Sequence, residues 1–438
     1  MTAISCASEA RPWYIANNAV NSSGTPSKGG NPEHWRAVRF RRRQRASGWF
    51  VGAAREAEGL PADSVDGSDW VRPARPGRCR WRVSRNVGVH GAVGDHSAHF
   101  SGLERCGSIW ACPVCSAVIR AQRVREIALA LERAHQRGHG IAFATLTLRH
   151  TADDPLSGTL DALLTAWRRV TSWTAWKKLS KRVGWIGTIR SVEVTLGVNG
   201  WHPHSHLAFI FERPLTEDER ASFEAELAVI WRRAVEKVGA SMPSLEHGVN
   251  VQLADGAGEQ IAGYLGKVQE KVGQQRLSVA KELARGDLKA GRAGSVNPLE
   301  LLDDETGSPR VRRLFLEYYE ATKGRRAFGW SRGLRDYLMP DVEELTDEEV
   351  LEQAERGELL ALIGPEDWDT NVRDDPERMH ELLLAAEEDD GHFSERVPLG
   401  VQPVWIRRSG MDDDRPTGPE GEAGETGARA GVAGRGGS

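Results

Sequence analysis

Two periods of apolar and polar positions alternate along this chain. Residues 201–211, WHPHSHLAFIF, interleave three histidines with Pro203 and Ser205 and then turn continuously apolar. Bounded upstream by the turn signal Gly-Val-Asn-Gly at 197–200, they predict a buried strand. Residues 186–196, IGTIRSVEVTL, are rich in β-branched side chains and predict the strand before it. A turn at Val198-Asn199 joins the two as a hairpin whose paired residue numbers sum to about 397, which sets Glu193 opposite His204. Residues 141–148 and 249–253 predict two further short strands, the first with Thr145 and Thr147 on one face.

Helical spacing takes over at 116–138, 159–183 and 216–238, the last opening on the helix-start signal Thr-Glu-Asp-Glu. In residues 258–272, GEQIAGYLGKVQEKV, Tyr264, Lys267 and Lys271 fall on one helical face and Ile261, Leu265 and Val268 on another. Residues 273–309 read as a helix followed by a loop. Residues 1–75 show no sustained periodicity and predict a flexible arm, with one basic run at 36–45. From residue 341 the chain turns acidic and from 418 glycine-rich, which predicts a largely disordered tail.

The 438 residues are enough for two or three domains. No apolar leader and no bilayer-length span is evident, so a soluble, cytoplasmic protein without a membrane partner is expected. The formal net charge of −4 hides an asymmetry. Residues 341–438 hold 27 acidic and 9 basic residues, a net of −18, which leaves +14 on residues 1–340. A basic body with an acidic tail is expected of a protein that meets a polyanion.

The chemistry concentrates at a few places. His204 and His206 share a strand face, about 7 Å apart along the backbone. Glu193 lies between Val192 and Val194, where a carboxylate is costly to bury unless something neutralises it. Two imidazoles and one carboxylate with open positions suit Mg²⁺ or Mn²⁺ better than a closed zinc site. The alternative puts Glu193 on a wet face, paired with Arg190. Cys112-Pro-Val-Cys115 is a tight knuckle with Cys106 and Cys79 upstream, a candidate structural zinc site; a redox pair or free thiols are the alternatives. An odd total of five cysteines, Cys6 standing apart, suits a reduced compartment. Trp167, Trp173 and Trp176 are interleaved with basic residues and either stack on bases or, as is commoner at helical spacing, form core. Residues 310–338 gather Arg325, Arg326 and Arg332 around aromatics, as a charged surface helix or a nucleic-acid-facing segment. Tyr264 beside two lysines is a phosphoryl acceptor only where a metal and cations assist it.

In order, the TLTL strand, HPHSH and YLGK resemble the three motifs of rolling-circle replication initiators of the HUH endonuclease superfamily. More narrowly, RCGSIWACPVCSAVIRAQR at 105–123 and ATKGRRAFGWSRGLR at 321–335 resemble the single-tyrosine initiators of small actinobacterial and Gram-positive plasmids. The likeness spans roughly residues 76–338 and implies an α+β fold, a central antiparallel sheet flanked by helices. The expected division is an arm at 1–75, a Cys-rich zinc module with a basic helix at 76–138, the nicking domain at 139–272, a basic helical DNA-facing extension at 273–340, and the acidic tail at 341–438.

By the same resemblance, His204 and His206 bind Mg²⁺ or Mn²⁺ with Glu193 as third ligand. Tyr264 attacks the scissile phosphate, leaving a 5′-phosphotyrosyl link and a free 3′-OH, with later strand transfer to close the product. Lys267 stabilises charge near the attacked phosphate, and Lys271, Arg190, Arg325, Arg326 and Arg332 are expected to touch DNA. The implied partners are the plasmid double-strand origin, single-stranded DNA, a host helicase and DNA polymerase, and a second copy of the chain in a homodimer. His202 is expected to be peripheral. One departure stands out: Gln260 occupies the position, a helical turn before the tyrosine, where such initiators often carry a glutamate, and Glu259 lies about 140° from Tyr264 around a helix. A conjugative relaxase or transposase-like HUH nuclease shares the chemistry, but the motif order argues against a relaxase. A cupin would need a downstream glycine-and-histidine motif, which is missing. A non-catalytic zinc-dependent DNA-binding protein would leave HPHSH and Tyr264 idle.

Overall fold

A computed structural model of the chain describes residues 32–62, 71–92, 97–254, 295–388, 393–398 and 400–405. In chain order the main elements are α1 (Pro32–Ala57), β1 (Val87–His90), β2 (His99–Ser101), α2 (Pro113–Gln136), β3 (Gly140–Thr147), α3 (Leu156–Ser172), α4 (Thr174–Arg182), β4 (Trp185–Gly197), β5 (Gly200–Phe211), α5 (Glu217–Lys237) and β6 (Val249–Leu253). They continue with α6 (Pro309–Thr322), β7 (Phe328–Trp330), α7 (Leu334–Leu338), α8 (Asp347–Gln353), β8 (Leu359–Ile363), α9 (Pro376–Glu387) and the two-residue β9 (Val404–Trp405). The arrangement is α+β, with antiparallel sheets, as expected.

The central sheet has the order β6-β3-β5-β4-β7, antiparallel throughout. Its spine is the predicted β4–β5 hairpin, with Glu193 opposite His204 and Gly197 opposite Gly200. Gly200 takes φ +85°, and a Cβ there would meet the Ala152 Cα at 2.9 Å and the Thr151 carbonyl oxygen at 3.0 Å, so only glycine closes this turn. On one face of the sheet Phe209 and Phe211 are fully buried with Trp176, Phe223 and Trp231 of α4 and α5. Each such ring contributes about 2–3 kcal/mol by leaving water. On the other face Ile141, Ile189, Ala208 and Ile210 meet Val124, Ile127 and Leu131 of α2 and Leu334 and Leu338 of α7. Strand alternation places His204 and His206 on the Ala208–Ile210 face, beyond the apolar contact. Trp176 is core, and Trp167 and Trp173 lean against it, so helical spacing read these tryptophans correctly.

Two expectations are overturned. Within the expected flexible arm, the described residues include a 26-residue helix from residue 32, with Ala37, Phe40, Ala46 and Phe50 buried. It was invisible because its apolar residues form no stripe: Arg42, Arg43 and Arg55 are buried among them. The acidic tail, in turn, is structured through residue 388. β8 is the central partner of β1 in a second sheet, β2-β1-β8-β9, and Trp368, Val372, Met379 and Leu382 are fully buried. The cysteine region and the acidic segment therefore share one sheet, and the division at 138 and 341 does not hold. Charge explains the docking. Arg36 pairs with Glu387 at 2.5 Å, Arg41 with Glu377 at 2.5 Å, Arg82 with Asp369 at 3.0 Å and Arg123 with Asp347 at 2.7 Å. Much of the basic run at 36–45 thus meets carboxylates of the chain itself.

Candidate functional site

The first centre sits where β3, β4 and β5 run side by side. Period two puts His204 and His206 on one face, and the hairpin register brings Glu193 to the same place. His206 Nε2 lies 2.8 Å and His204 Nε2 3.0 Å from the same oxygen, Glu193 Oε2. Each histidine is oriented through its other nitrogen: His206 Nδ1 is 3.2 Å from Thr145 Oγ1, and His204 Nδ1 is 3.3 Å from the His202 carbonyl oxygen. Both Nε2 atoms and the carboxylate thus converge, and the three ligand atoms lie within 4.8 Å of one another. All three side chains are half-buried, so the site is accessible to a ligand. The group could hold a divalent ion, with Thr145 as an outer partner fixing one imidazole. Glu193 faces the histidines, and the alternative pairing with Arg190 is not formed.

His202 lies beside this centre rather than in it, its ring 5.3 Å from His204 and 4.8 Å from His150. Burial and the nearby His204 and His150 push its pKa down to about 4. Thr145 and His150 were not singled out for function. Only the pairing of β3 with β5, Thr145 against His206, could have pointed to the threonine.

The second centre is the cysteine cluster. Cys112 caps the N-terminus of α2, with Pro113 at the first helical position. The sulfurs of Cys112 and Cys79 are 3.4 Å apart, those of Cys79 and Cys115 3.7 Å, and those of Cys106 and Cys115 3.7 Å. A disulfide would need about 2.05 Å. Four sulfurs around an ion with metal–sulfur bonds of about 2.3 Å would be ~3.8 Å apart, and the cluster is close to that. Backbone amides of Ser108 and Cys115 point at Cys106 and Cys112 Sγ, each at 3.5 Å. Hydrogen bonds from Cys106, Cys112 and Cys115 hold the Cys79 thiol well below the usual thiol range, while Cys106 is pushed well above it by its hydrogen bonds to Cys112 and the others. Were all four sulfurs thiolates at these separations, they would need a cation between them.

Arginines surround this cluster. Arg43 of α1 is 1% exposed, and its Nε and Nη1 are buried without a hydrogen-bond partner. Burial lowers its proton affinity, and Cys79 is the largest opposing influence. Nε and Nη1 of Arg80 are orphaned in the same way. Arg43 and Arg80 both act electrostatically on Cys79, and their charge would offset the two by which four thiolates exceed a divalent ion, were one bound there.

The predicted DNA-contacting arginines also come together, but elsewhere. Arg190, Arg325, Arg326 and Arg332 line a cavity of about 570 Å³ with Arg168, Trp167, Trp185 and Trp330. Arg190 is three residues from Glu193 on β4 and so faces the opposite side of the sheet. Tyr264, Lys267, Lys271, Glu259 and Gln260 lie outside the described residues. No described helix is long and apolar enough to cross a membrane.

The family model described as replication protein matches residues 104–368, more than half of the chain. The chain is 33% identical over 328 residues to "Protein rep" of Streptomyces lividans, covering 60% of this chain and 71% of that protein. It is also 37% identical over 144 residues to "Neomycin resistance protein" of Streptomyces cyanogenus, covering 27% of this chain and 33% of that one. No solved structure matches it. The matched region contains three of the four clustered cysteines, the Glu193–His204–His206 group and all four of those arginines, and the chain belongs to the replication protein family.

Proposed function

We propose that the protein initiates plasmid rolling-circle replication by nicking its origin DNA. The observation that carries this reading is the convergence of His204 Nε2 and His206 Nε2 on one Glu193 oxygen, at 3.0 and 2.8 Å, on a half-buried face. Glu193, His204 and His206 would hold Mg²⁺ or Mn²⁺, which would supply positive charge to polarise the scissile phosphate. Cys79, Cys106, Cys112 and Cys115 would hold a structural Zn²⁺ with no position left open for chemistry.

Tyr264 is the nucleophile in this reading. Its phenol oxygen forms the bond to phosphorus and the bond to the 3′ oxygen breaks. The proton lost by the phenol is balanced by the one taken up by the 3′ oxygen. A 5′-phosphotyrosyl link and a free 3′-OH result, the primer for a host polymerase. Lys267 offsets the developing charge.

The tyrosines among the described residues suit the role poorly. Tyr318 and Tyr319 are buried, Tyr318 hydroxyl 3.5 Å from the Trp110 carbonyl. Tyr337 bonds His139, just ahead of β3, at 2.8 Å, and Gly140 pairs with Phe211 at the sheet end away from His204. Tyr264 follows Ala254 by ten residues, a tether of up to ~33 Å. That exceeds the roughly 20 Å length of β3 separating Ala254 from the metal-binding end.

The test is incubation of the protein and Mn²⁺ or Mg²⁺ with supercoiled plasmid carrying the candidate origin. An open-circular product with a protein-linked 5′ end is expected, and chelation should prevent it. Intact plasmid, or a nick with no covalent protein, would reject the mechanism.

A further inference from the structure

The cavity behind the sheet carries charge that the fold does not compensate. Five arginines line it, Arg168, Arg190, Arg325, Arg326 and Arg332, against a single carboxylate, Asp161. Asp161 is engaged by Arg325 at 2.7 Å, and Arg325 also donates to the Ala321 carbonyl at 2.6 Å. Among the described residues, Arg168 donates only to the Thr165 hydroxyl, at 2.9 Å. Among the described residues, Arg190, Arg326 and Arg332 have no ion-pair or hydrogen-bond partner for their guanidinium groups. Arg190 stands over Gly329, where a Cβ would come within 3.3 Å of its Nη2. Burial, reinforced by the like charge of Arg168, lowers the proton affinity of Arg190. An anion placed between these groups relieves both penalties.

The walls are rigid and aromatic. Thr188 and Ser331 are joined by a backbone bond at 2.9 Å and by a Ser331 hydroxyl accepting from the Thr188 amide at 2.9 Å. Trp185 Nε1 donates to Thr188 Oγ1 at 2.9 Å, which fixes that ring, and Trp330 is half-buried on β7. Cations beside partly open tryptophan rings suit phosphates joined to unpaired bases. A concavity of about 570 Å³ takes one or two such nucleotides and is too small for a duplex.

We propose that this cavity binds single-stranded DNA on the sheet face opposite Glu193, with phosphates among Arg190, Arg326 and Arg332 and a base against Trp185. The inference rests on the reading of the protein as one that acts on DNA strands. It gives the displaced or approaching strand a seat separate from the scissile phosphate.

The test reads binding of a labelled oligothymidylate by fluorescence anisotropy in EDTA, so that no cleavage is involved. Arg190→Gln with Arg332→Gln should weaken binding about tenfold or more and reduce the slope of log K against log salt by ~1.4, or ~0.7 per lost phosphate contact. Arg213→Gln, on an exposed arginine paired with Glu219, should bind as the unmodified protein does. Unchanged affinity and slope in the cavity variant would overturn the proposal. So would displacement of the oligonucleotide by thymidine monophosphate at equal concentration, which would mark a small-nucleotide site. Photocrosslinking the unmodified protein to a bromodeoxyuridine oligonucleotide needs no variant to fold. Crosslinks at Trp185 or Trp167 support the cavity, and crosslinks confined to the His204 face reject it. Because all of this is read without metal, failure of the nicking mechanism would leave these results intact.

Discussion

At the scale of single residues, the metal-binding group was legible because it is local. Glycines at 197 and 200 and a period of two determine which side chains of a hairpin meet, and Glu193 fell opposite His204 as the arithmetic required. Thr145 was not legible, because its place beside His206 comes from a strand 61 positions away. Its role yields a test: Thr145→Val should keep the fold and lower Mn²⁺ affinity by roughly tenfold, as loss of an outer-shell partner does. Titration calorimetry with Mn²⁺ measures this, and unchanged affinity would make the contact incidental. His206→Ala should abolish nicking, with partial recovery at high Mn²⁺. Tyr264→Phe should abolish both nicking and the covalent adduct at any metal concentration, because it removes only the attacking oxygen. An adduct that persists in Tyr264→Phe would assign the chemistry to another residue.

At the scale of elements, what failed to show was any element stabilised by distant charge. In α1, arginines are interspersed with the buried apolar residues, so neither period emerges; their partners, Asp303, Glu377 and Glu387, come from the far end of the chain. β8, LLALI, is an apolar run in an acidic neighbourhood, and regional composition concealed it. The buried guanidinium of Arg43 brings the positive charge of α1 close to Cys79. Arg43→Leu should therefore weaken zinc retention by about ten- to a hundredfold against a competing chelator while leaving the helix folded. Equal retention would show that the guanidinium does not compensate the sulfur charge.

The second sheet also carries a pH dependence. His99 stacks on His90 with ring centroids 4.6 Å apart, near Arg80 and Glu355, and burial pushes its pKa down to about 4. In the unfolded chain it titrates near 6.5. Between these values the unfolded state binds the proton that the folded state refuses. The contribution is therefore complete above pH 6.5 and is lost as pH falls toward 4. The unfolding free energy from denaturant titrations should fall between pH 7.5 and pH 5 by on the order of 2 kcal/mol more for the natural chain than for His99→Gln. Parallel pH profiles would remove His99 from this role.

At the scale of the whole molecule, the charge asymmetry has a second meaning. The acidic segment 341–438 beside a basic body was expected to be a largely disordered tail on a protein that meets a polyanion. Instead, carboxylates at 347–387 close the structure on α1 and α2, while Arg190, Arg326 and Arg332 of the cavity have no carboxylate partner among the described residues. Ending the chain at residue 340 would remove β8 and leave β1 paired only with β2, and a two-stranded pair is marginal in water. It would also strip Phe100 of its contact with Trp368, at 5.1 Å, and Arg43 of its bond to the Arg373 carbonyl, at 2.6 Å. Such a chain should lose cooperative thermal unfolding and bind less than one equivalent of zinc, because α1 and the cysteine cluster share that support. Ending it at residue 405 keeps every described element and should leave melting temperature, zinc content and nicking unchanged. Circular dichroism melts and zinc analysis of the two truncations separate the possibilities. If the 340-residue chain melts like the full-length protein with its zinc intact, the acidic segment is an appendage and the second sheet does not support the first.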